Sequence, residues 1–533
     1  MVQIGARVLF VWTLTILIIN GTLYILSSLK EKHEWHPPSP KSHHIPKTPS
    51  SMTTKNPKIE ESLKFLKLLE WPEPPNSTNF MSSTSPKTTE CSLLDPRTVY
   101  NVGEHVKVFI RAQDHYGHPK TYGGDYFQTK LHSPELKAGV TGSITDHRNG
   151  SYTATFLLPW PGICQISISL VHSSEAIAIL KRKRETRPDK VFYFGYFHHN
   201  GRMARVECNI QPPGQDVCAY RDLYTGEEWF CVRPEGFPCS AYLEHSVGGN
   251  RKVLTPAEEE FLHGSITDQV ISSALPPLSV QPQGNTTDDR NICRPGLSNP
   301  EPSGYFYQDQ WHSHVCRNQN FPTPANVTSC LKGKVVYMFG DSTLRQWWDY
   351  LVDFVPSLQR LDLHVSYPGP MLATDAEHGY VLQWRAHQRP LNMQLTRVQE
   401  LKYIANELDG IGGGDDGLVI VINCLAHFAF FPVNVYLRRM MVIRDAVARL
   451  LERSKQTTVI IKSGNTGFGS IHGSDWLSLQ LDTLMRAIFS GLPVTIVDAW
   501  QMTSCHYHPK AIHPRKIVVQ NMVDLMLSFI CPT

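Results

Sequence analysis

The sequence predicts a multi-domain chain: an N-terminal single-pass anchor, an antiparallel β-sandwich, a cysteine-rich segment and a C-terminal α/β domain. Three observations carry that prediction. An uncharged apolar run lies near the N-terminus, short alternating runs fill the stretch from Cys91 to Leu180, and strand and helix patterns alternate from Leu331 onward. At about 100 to 200 residues per domain, 533 residues suffice for several domains. A net charge of +3 gives no basis for a nucleic-acid partner. The 41% hydrophobic and 19% charged composition excludes a wholly disordered chain, a collagen and a multi-span membrane protein.

Residues 1–7 read as a cytoplasmic tip and 8–29 as the anchor. The run VLFVWTLTILIINGTLYILSSL is long enough, at about 1.5 Å per residue, to cross a hydrocarbon core of roughly 30 Å. Its length favours an uncleaved signal-anchor; a secreted form, cleaved near Ser28 or at the basic run 181–184, is the alternative. Arg7 on one side and Lys30, Glu31 and Lys32 on the other leave orientation to other evidence. The 12 cysteines form an even set without Cys-x-x-Cys spacing and read as disulfides. Acceptor sequons lie at Asn76, Asn149, Asn285 and Asn326. Cysteines and sequons together put the body in the secretory lumen or outside the cell.

Residues 30–90, rich in Pro, Ser, Thr, Lys and His, read as a stalk, with a short amphipathic helix over Ile59–Trp71. Residues 91–185 hold VKVFIRAQD, YFQTKLHS, SYTATFLLPW and CQISISLVH, strand-like runs separated by Gly, Pro, Asn and Asp turns. The KRKR run at 181–184 reads as a solvated linker. Residues 186–330 are the cysteine-rich segment, and 331–533 the α/β domain. Within that domain KVVYMF, LVIVINCLA, TTVIIKS and PVTIVDAW read as strands of a parallel sheet, with long amphipathic helices between them.

The chemistry concentrates at FGDSTLR, where KVVYMF turns into a helix. Gly340 permits a tight turn, and Ser342 would present its hydroxyl beside free N–H groups that can stabilise an oxyanion. Asp341 or Ser342 acting only as a helix cap is the competing explanation. A serine nucleophile needs a base, and the base an orienting acid. Asp498 closes the last strand and His513 follows, giving the order Ser, Asp, His found in α/β serine hydrolases; His506 and His508 are rival bases. Asn423 or His427, in VINCLAHF, would complete an oxyanion hole. Arg345, Trp384, Arg385 and His387 are candidates for holding an anionic sugar or an acyl donor. No metal site is expected, since His506, His508 and His513 lack a familiar ligand spacing, and GIGGGDDG lacks the GK[ST] of a phosphate loop.

The chain resembles the NXPE family of neurexophilin and PC-esterase domain proteins over about Cys91 to Cys531. The resemblance is carried by YNVGEHVKVFIRAQDHYGHPKTYGGDYF, SPELKAGVTGSITDHRNGSYTATF, FGDSTLRQWWDYL, VINCLAHF, RRMMVIRDAVARLLERS, VDAWQMT and IHP. It implies an immunoglobulin-like sandwich, a Cys-rich neurexophilin-like segment and an SGNH/GDSL-like PC-esterase domain, with Ser342 as nucleophile and His513 as base. It also implies a glycan O-acyltransferase or esterase acting on sialic acid or a related glycan, with acetyl-CoA as co-substrate and no bound cofactor. The location implied is a type II Golgi membrane protein with a luminal body, or a secreted one. The alternative is a weakly active or inactive glycosylated binding protein with a cell-surface protein partner. Two departures bear on the choice: Lys510 stands three residues before His513, where the superfamily carries Asp, and Gln501 stands where relatives carry an acid. The glycine of the superfamily's GxND block is also missing near Asn423. With a net charge of only +3, an acidic glycan would be gripped by local Arg and His residues.

Overall fold

The computed structural model describes residues 57–75, 79–272, 275–283, 290–365, 369–413, 417–467, 469–471 and 473–532. The expected tip, the anchor at 8–29, the first part of the stalk, and the sequons at Asn76 and Asn285 lie outside the described residues. Among the described residues no helix is long and apolar enough to cross a membrane.

Alternation along His105–Arg111 turns Val106, Val108 and Ile110 inward and leaves His105, Lys107 and Arg111 exposed, as the two-residue period of a half-buried strand dictates. Its neighbour Ser151–Leu157 does the same with Tyr152, Ala154 and Phe156. Both lie in a four-stranded antiparallel sheet with Glu90–Leu93 and Ser143–Asp146 at its edges. A second sheet, with Tyr126–Ser133 and Gly162–His172 at its centre, faces it across a core that includes Phe127, Leu131, Val140, Ile168 and Leu170. The alternating runs thus form a two-sheet sandwich. The second sheet also recruits distant strands. Leu278–Gln281 pairs with Gly162–His172, and Gly304–Tyr307 pairs with Ala138–Thr141. The cysteine-rich segment is therefore not a separate body: its second half closes the sandwich edges, which removes strand edges open to aggregation.

The first half of that segment builds a six-stranded sheet around Val191–His199, Arg202–Asn209 and Tyr242–Asn250. Cys208 faces Cys231 across two strands and is bonded to it; Cys218–Cys239, Cys293–Cys316 and Cys330–Cys531 are the other disulfides. The last spans 201 residues and ties the helix Pro324–Leu331 to the end of the chain. Among the described residues these four bonds bridge eight cysteines. Cys164, Cys424 and Cys505 are buried thiols, and burial raises all three, Cys164 to about 11 and Cys424 to about 12.

The α/β region contains a seven-stranded sheet in the order 359–361, 371–375, 380–386, 335–340, 418–422, 458–462 and 495–497. Its last five strands are parallel. In chain order those five read 2-1-3-4-5, a doubly wound arrangement whose direction reverses at Val335–Gly340. The strands are apolar on both faces because both are covered. Helices Ser342–Phe354 and Lys516–Ile530 pack one face, and Val433–Arg453 and Asp475–Phe489 the other.

Two expectations about connectors are overturned. The stalk ends earlier than residue 90: the helix Pro57–Lys67 and the residues after it set Phe65, Leu66, Leu69 and Trp71 against the α/β core, and Ser83, Thr84, Ser85 and Thr89 are buried. The KRKR run is no linker either. It lies in the helix Ser174–Thr186, where Arg184 is buried with its guanidinium 5.6 Å from the Trp476 ring centre. Of the described sequons, Asn149 sits exposed in a hairpin turn and Asn326 in the first turn of its helix, each on the surface.

The sandwich is docked directly on the α/β region. Lys130 donates to the His506 carbonyl at 2.9 Å, and His172 Nε2 lies 2.7 Å from Ser474 Oγ. Gly139 lies so close that a Cβ there would stand 2.1 Å from the Cys505 carbonyl oxygen. Because that neighbour is backbone, it cannot swing aside. Gly139→Ala is expected to destabilise the protein by about 1–3 kcal/mol, read as a lower urea midpoint with an unchanged slope.

Candidate active site

The apolar strand Val335–Gly340 ends at the topological switch point, the crevice where doubly wound sheets collect their ligands. Gly340 is required there, since a Cβ would meet the Asn423 carbonyl oxygen at 2.4 Å. Asp341 follows in extended conformation and caps the helix Ser342–Phe354. One carboxylate oxygen accepts from the Thr343 N–H at 2.8 Å and from its hydroxyl at 2.7 Å; the other accepts from the Ala426 N–H at 3.2 Å. Burial by itself would raise this carboxyl, but the charges of His427 and Lys462 and the Thr343 bond outweigh it and hold Asp341 below the usual range.

Ser342 is the first residue of the helix and is half-buried. Its Oγ lies 2.8 Å from Nε2 of His513. Among the described residues its N–H has no acceptor, as expected for a first-turn amide that points out of the helix. His513 is accessible, yet the protein around it lowers its imidazole below the ordinary value. Desolvation is the main cause, Arg345 and Lys462 add to it, and Asp341 opposes it. A neutral imidazole beside a serine hydroxyl at the positive end of a helix can accept that hydroxyl's proton.

The other candidates are placed differently. Asp498 does not reach His513: its carboxylate caps the helix Ala499–Cys505, accepting from the Gln501 N–H at 3.1 Å, and pairs with Arg486 at 2.8 Å and Asn299 at 3.4 Å. The carboxylate whose charge acts on His513 is Asp341. His506 is buried against Phe306 at 4.8 Å, and His508 contacts Arg515 at 3.3 Å, so neither rival base meets Ser342. Asn423 directs its amide to the carbonyls of Lys462 at 3.1 Å and Ser463 at 3.4 Å, away from an oxyanion role. Trp384 is buried beneath Arg345, whose guanidinium lies 5.7 Å from its ring centre. Arg385, on the opposite side of the strand, pairs with Glu407 at 3.2 Å.

His387 and His427 are brought together, and their protons can be placed. The Gln388 carbonyl only accepts, so His387 Nδ1, 2.7 Å away, carries the hydrogen. Burial, with the nearby charges of His427 and Arg439, pushes His387 down to about 3 and keeps it neutral. Its Nε2 is then an acceptor, and His427 Nδ1 donates to it at 3.0 Å. Burial lowers His427 below the ordinary value, and in its neutral form the Nε2 is unprotonated, a base rather than an oxyanion donor.

Two residues of the site were not anticipated, Lys462 and Asn465. Lys462 ends the strand Thr458–Lys462 only 2% exposed, and its Nζ donates to Thr343 Oγ1 at 3.1 Å and Asn465 Oδ1 at 2.8 Å. Burial lowers its ammonium to about 8 against the support of Asp341 and Asp482, so it remains charged at neutral pH. Its signal in the sequence was a lysine directly after the apolar Val459–Ile461 run of TVIIK.

With this geometry in place, residues 311–531 match the model described as NXPE family member 4-like, C-terminal domain, and residues 61–259 match the Neurexophilin model. The chain belongs to the NXPE family. Among solved structures, similarity is found to the Lin-41 filamin domain (16% identity, 16% of this chain and 81% of that one, TM-score 0.13). It is also found to invasin, a bacterial integrin-binding protein (9% identity, 57% of this chain and 61% of that one, TM-score 0.14). The disulfides and the neurexophilin-like region make this NXPE protein one of the secretory pathway or the extracellular space. Its two departures from the expected acidic pattern are docking residues. Gln501 Oε1 accepts from the Ser303 N–H at 2.8 Å and the Thr141 hydroxyl at 3.1 Å. Lys510 bonds to Gln128 and pairs with Asp268 at 2.7 Å.

Proposed function

We propose that this NXPE protein is a secretory-pathway glycan O-acyltransferase or esterase working through an acyl-serine. Acetyl-CoA is the donor, and sialic acid or a related glycan the acceptor. The observation that carries this reading is the 2.8 Å approach of Ser342 Oγ to His513 Nε2 at the carboxyl end of the central parallel strand. A Gly-Asp-Ser turn on a 2-1-3-4-5 sheet also supports an SGNH/GDSL-like PC-esterase domain. In this scheme His513 takes the Ser342 proton as Oγ attacks the thioester carbonyl. The Ser342 N–H at the helix terminus faces the developing oxyanion. The C–S bond breaks, the thiolate takes the proton from His513, and an acetyl-serine remains. A sugar hydroxyl then gives its proton to His513 and attacks the acetyl carbon, and Ser342 leaves reprotonated. Water in place of the sugar gives hydrolysis, so transfer depends on keeping water out. The division proposed is an anchor at 8–29, an immunoglobulin-like sandwich built on 91–185 and completed by strands 278–281 and 304–307 of the 186–330 segment, and an esterase domain at 331–533, with the anchor holding a luminal body at the Golgi membrane.

A second reading, a weakly active neurexophilin-type protein that binds a cell-surface partner, draws on one observation: among the described residues no carboxylate is hydrogen-bonded to His513. Incubating the purified protein with acetyl-CoA and sialylated glycans separates the two. Acetyl appearing on the glycan, or free acetate released above a Ser342→Ala blank, is the expected result; neither product would favour the binding protein. The pH profile gives a further check. Only neutral His513 accepts the serine proton, so kcat/KM rises with pH through the His513 pKa. Because that pKa is lowered, the midpoint of the rise is expected below the ordinary 6.5. A kcat/KM with no rise through the imidazole range would exclude His513 as the base.

A further inference from the structure

We propose that Lys462 is the positioning residue that holds the serine turn and the histidine loop at their working separation, an inference that rests on the acyl-serine reading. The chain of bonds is continuous. Lys462 Nζ donates to Thr343 Oγ1 at 3.1 Å, the Ser463 carbonyl at 3.1 Å and Asn465 Oδ1 at 2.8 Å, which uses all three ammonium hydrogens. Thr343 in turn donates to Asp341 at 2.7 Å, so the turn on both sides of Ser342 is tied to the lysine. At the other end, Asn465 Nδ2 donates to the Ile512 carbonyl at 2.8 Å, one residue before His513.

Each end of this brace is therefore the sequence neighbour of a reacting residue. The backbone supports it: Gly467 has φ +120°, and a Cβ there would lie 2.6 Å from Ala511, so the loop after Lys462 runs tightly against the segment that carries His513. Asn465 and Lys462 are each 2% exposed, and an ammonium removed from water tolerates little loss of its partners. The brace also supplies what Asp498, occupied by Arg486, does not: a fixed place for the base. An orienting acid would act on the imidazole itself; Lys462 acts through the backbone on which the imidazole is mounted.

The test uses a fluorophosphonate, which reacts with an activated serine, on the purified protein, with the rate followed against pH and the thermal midpoint recorded for each variant. Asn465→Asp keeps the size and the acceptor for Lys462 but replaces the donor facing the Ile512 carbonyl with an acceptor. It is expected to slow labelling of Ser342 by about tenfold or more, as a small misplacement of a reacting pair does, while the protein stays folded. Lys462→Met removes a cation that disfavours imidazolium, so it is expected to move the acidic limb of the profile to higher pH as well as to slow labelling. Should Lys462→Met not fold, Asn465→Asp decides alone. Wild-type rates and an unmoved limb in the folded variants, with Ser342 labelled in the wild type, would overturn the brace. No Ser342 labelling in the wild type would overturn the acyl-serine reading, and the brace with it.

Discussion

Ser342→Ala is expected to lower acyl transfer and hydrolysis by about 10³-fold or more, with the fold and disulfides unchanged. Ser342 is half-buried at the surface of its crevice, so losing one oxygen leaves no cavity in the core and no unpaired buried partner. The loss falls on the reaction itself, because no other hydroxyl is hydrogen-bonded to His513 among the described residues. His513→Ala is expected to cost a similar factor, and the double variant scarcely more than either alone, since nucleophile and base act as one unit. Initial rates of acetate release and glycan acetylation, with circular dichroism to verify folding, make the measurement. Activity that survives both replacements would place the chemistry elsewhere.

Glu227→Gln is the substitution with the largest expected effect on stability. Glu227 holds Arg439, which is 1% exposed, through two guanidinium nitrogens, one of them at 2.5 Å. The pair joins the cysteine-rich segment to the long helix Val433–Arg453. Removing the carboxylate charge leaves a guanidinium buried without its counter-ion, at a cost of about 3–5 kcal/mol. Arg439 also donates to the Arg389 carbonyl at 2.7 Å and the Gln388 carbonyl at 3.4 Å, and the Gln388 carbonyl fixes the His387 tautomer. The variant should therefore lower the urea midpoint and also loosen the His387–His427 contact. Glu227→Gln combined with Arg439→Met removes both charges and is expected to recover part of the loss, since it is the unpaired charge that costs most. A double variant no more stable than Glu227→Gln would show that geometry rather than charge dominates.

Much of the fold was legible because its signals are local. Alternation in HVKVFIR reports its two faces directly, and Gly-Asp-Ser at the end of an apolar strand marks a strand-to-helix turn whatever lies around it. Non-local pairing was not legible: nothing in GYFY announces that it adds to a strand at residues 138–141. The KRKR run misled because charge alone reads as solvent, whereas Arg184 lies over Trp476, a neighbour nearly three hundred positions away. At the site, Ser342 and His513 could be paired from residue type and order. Asp498 could not be judged, because its fate depends on Arg486 in a helix packed beside it. Lys510 and Gln501 looked like losses from a catalytic pattern; each instead holds the sandwich or its neighbouring strands against the α/β region. Asn465, unremarkable in the sequence, matters through the carbonyl of Ile512.

Whether Ser342 carries the acyl group is read by mass spectrometry of the acid-quenched protein after brief exposure to acetyl-CoA without acceptor. An acetyl adduct is expected on the peptide containing Ser342, disappearing on addition of a sialylated glycan and absent from Ser342→Ala. An unmodified Ser342 peptide, with acetate or acetylated glycan still produced by the same sample, would contradict it.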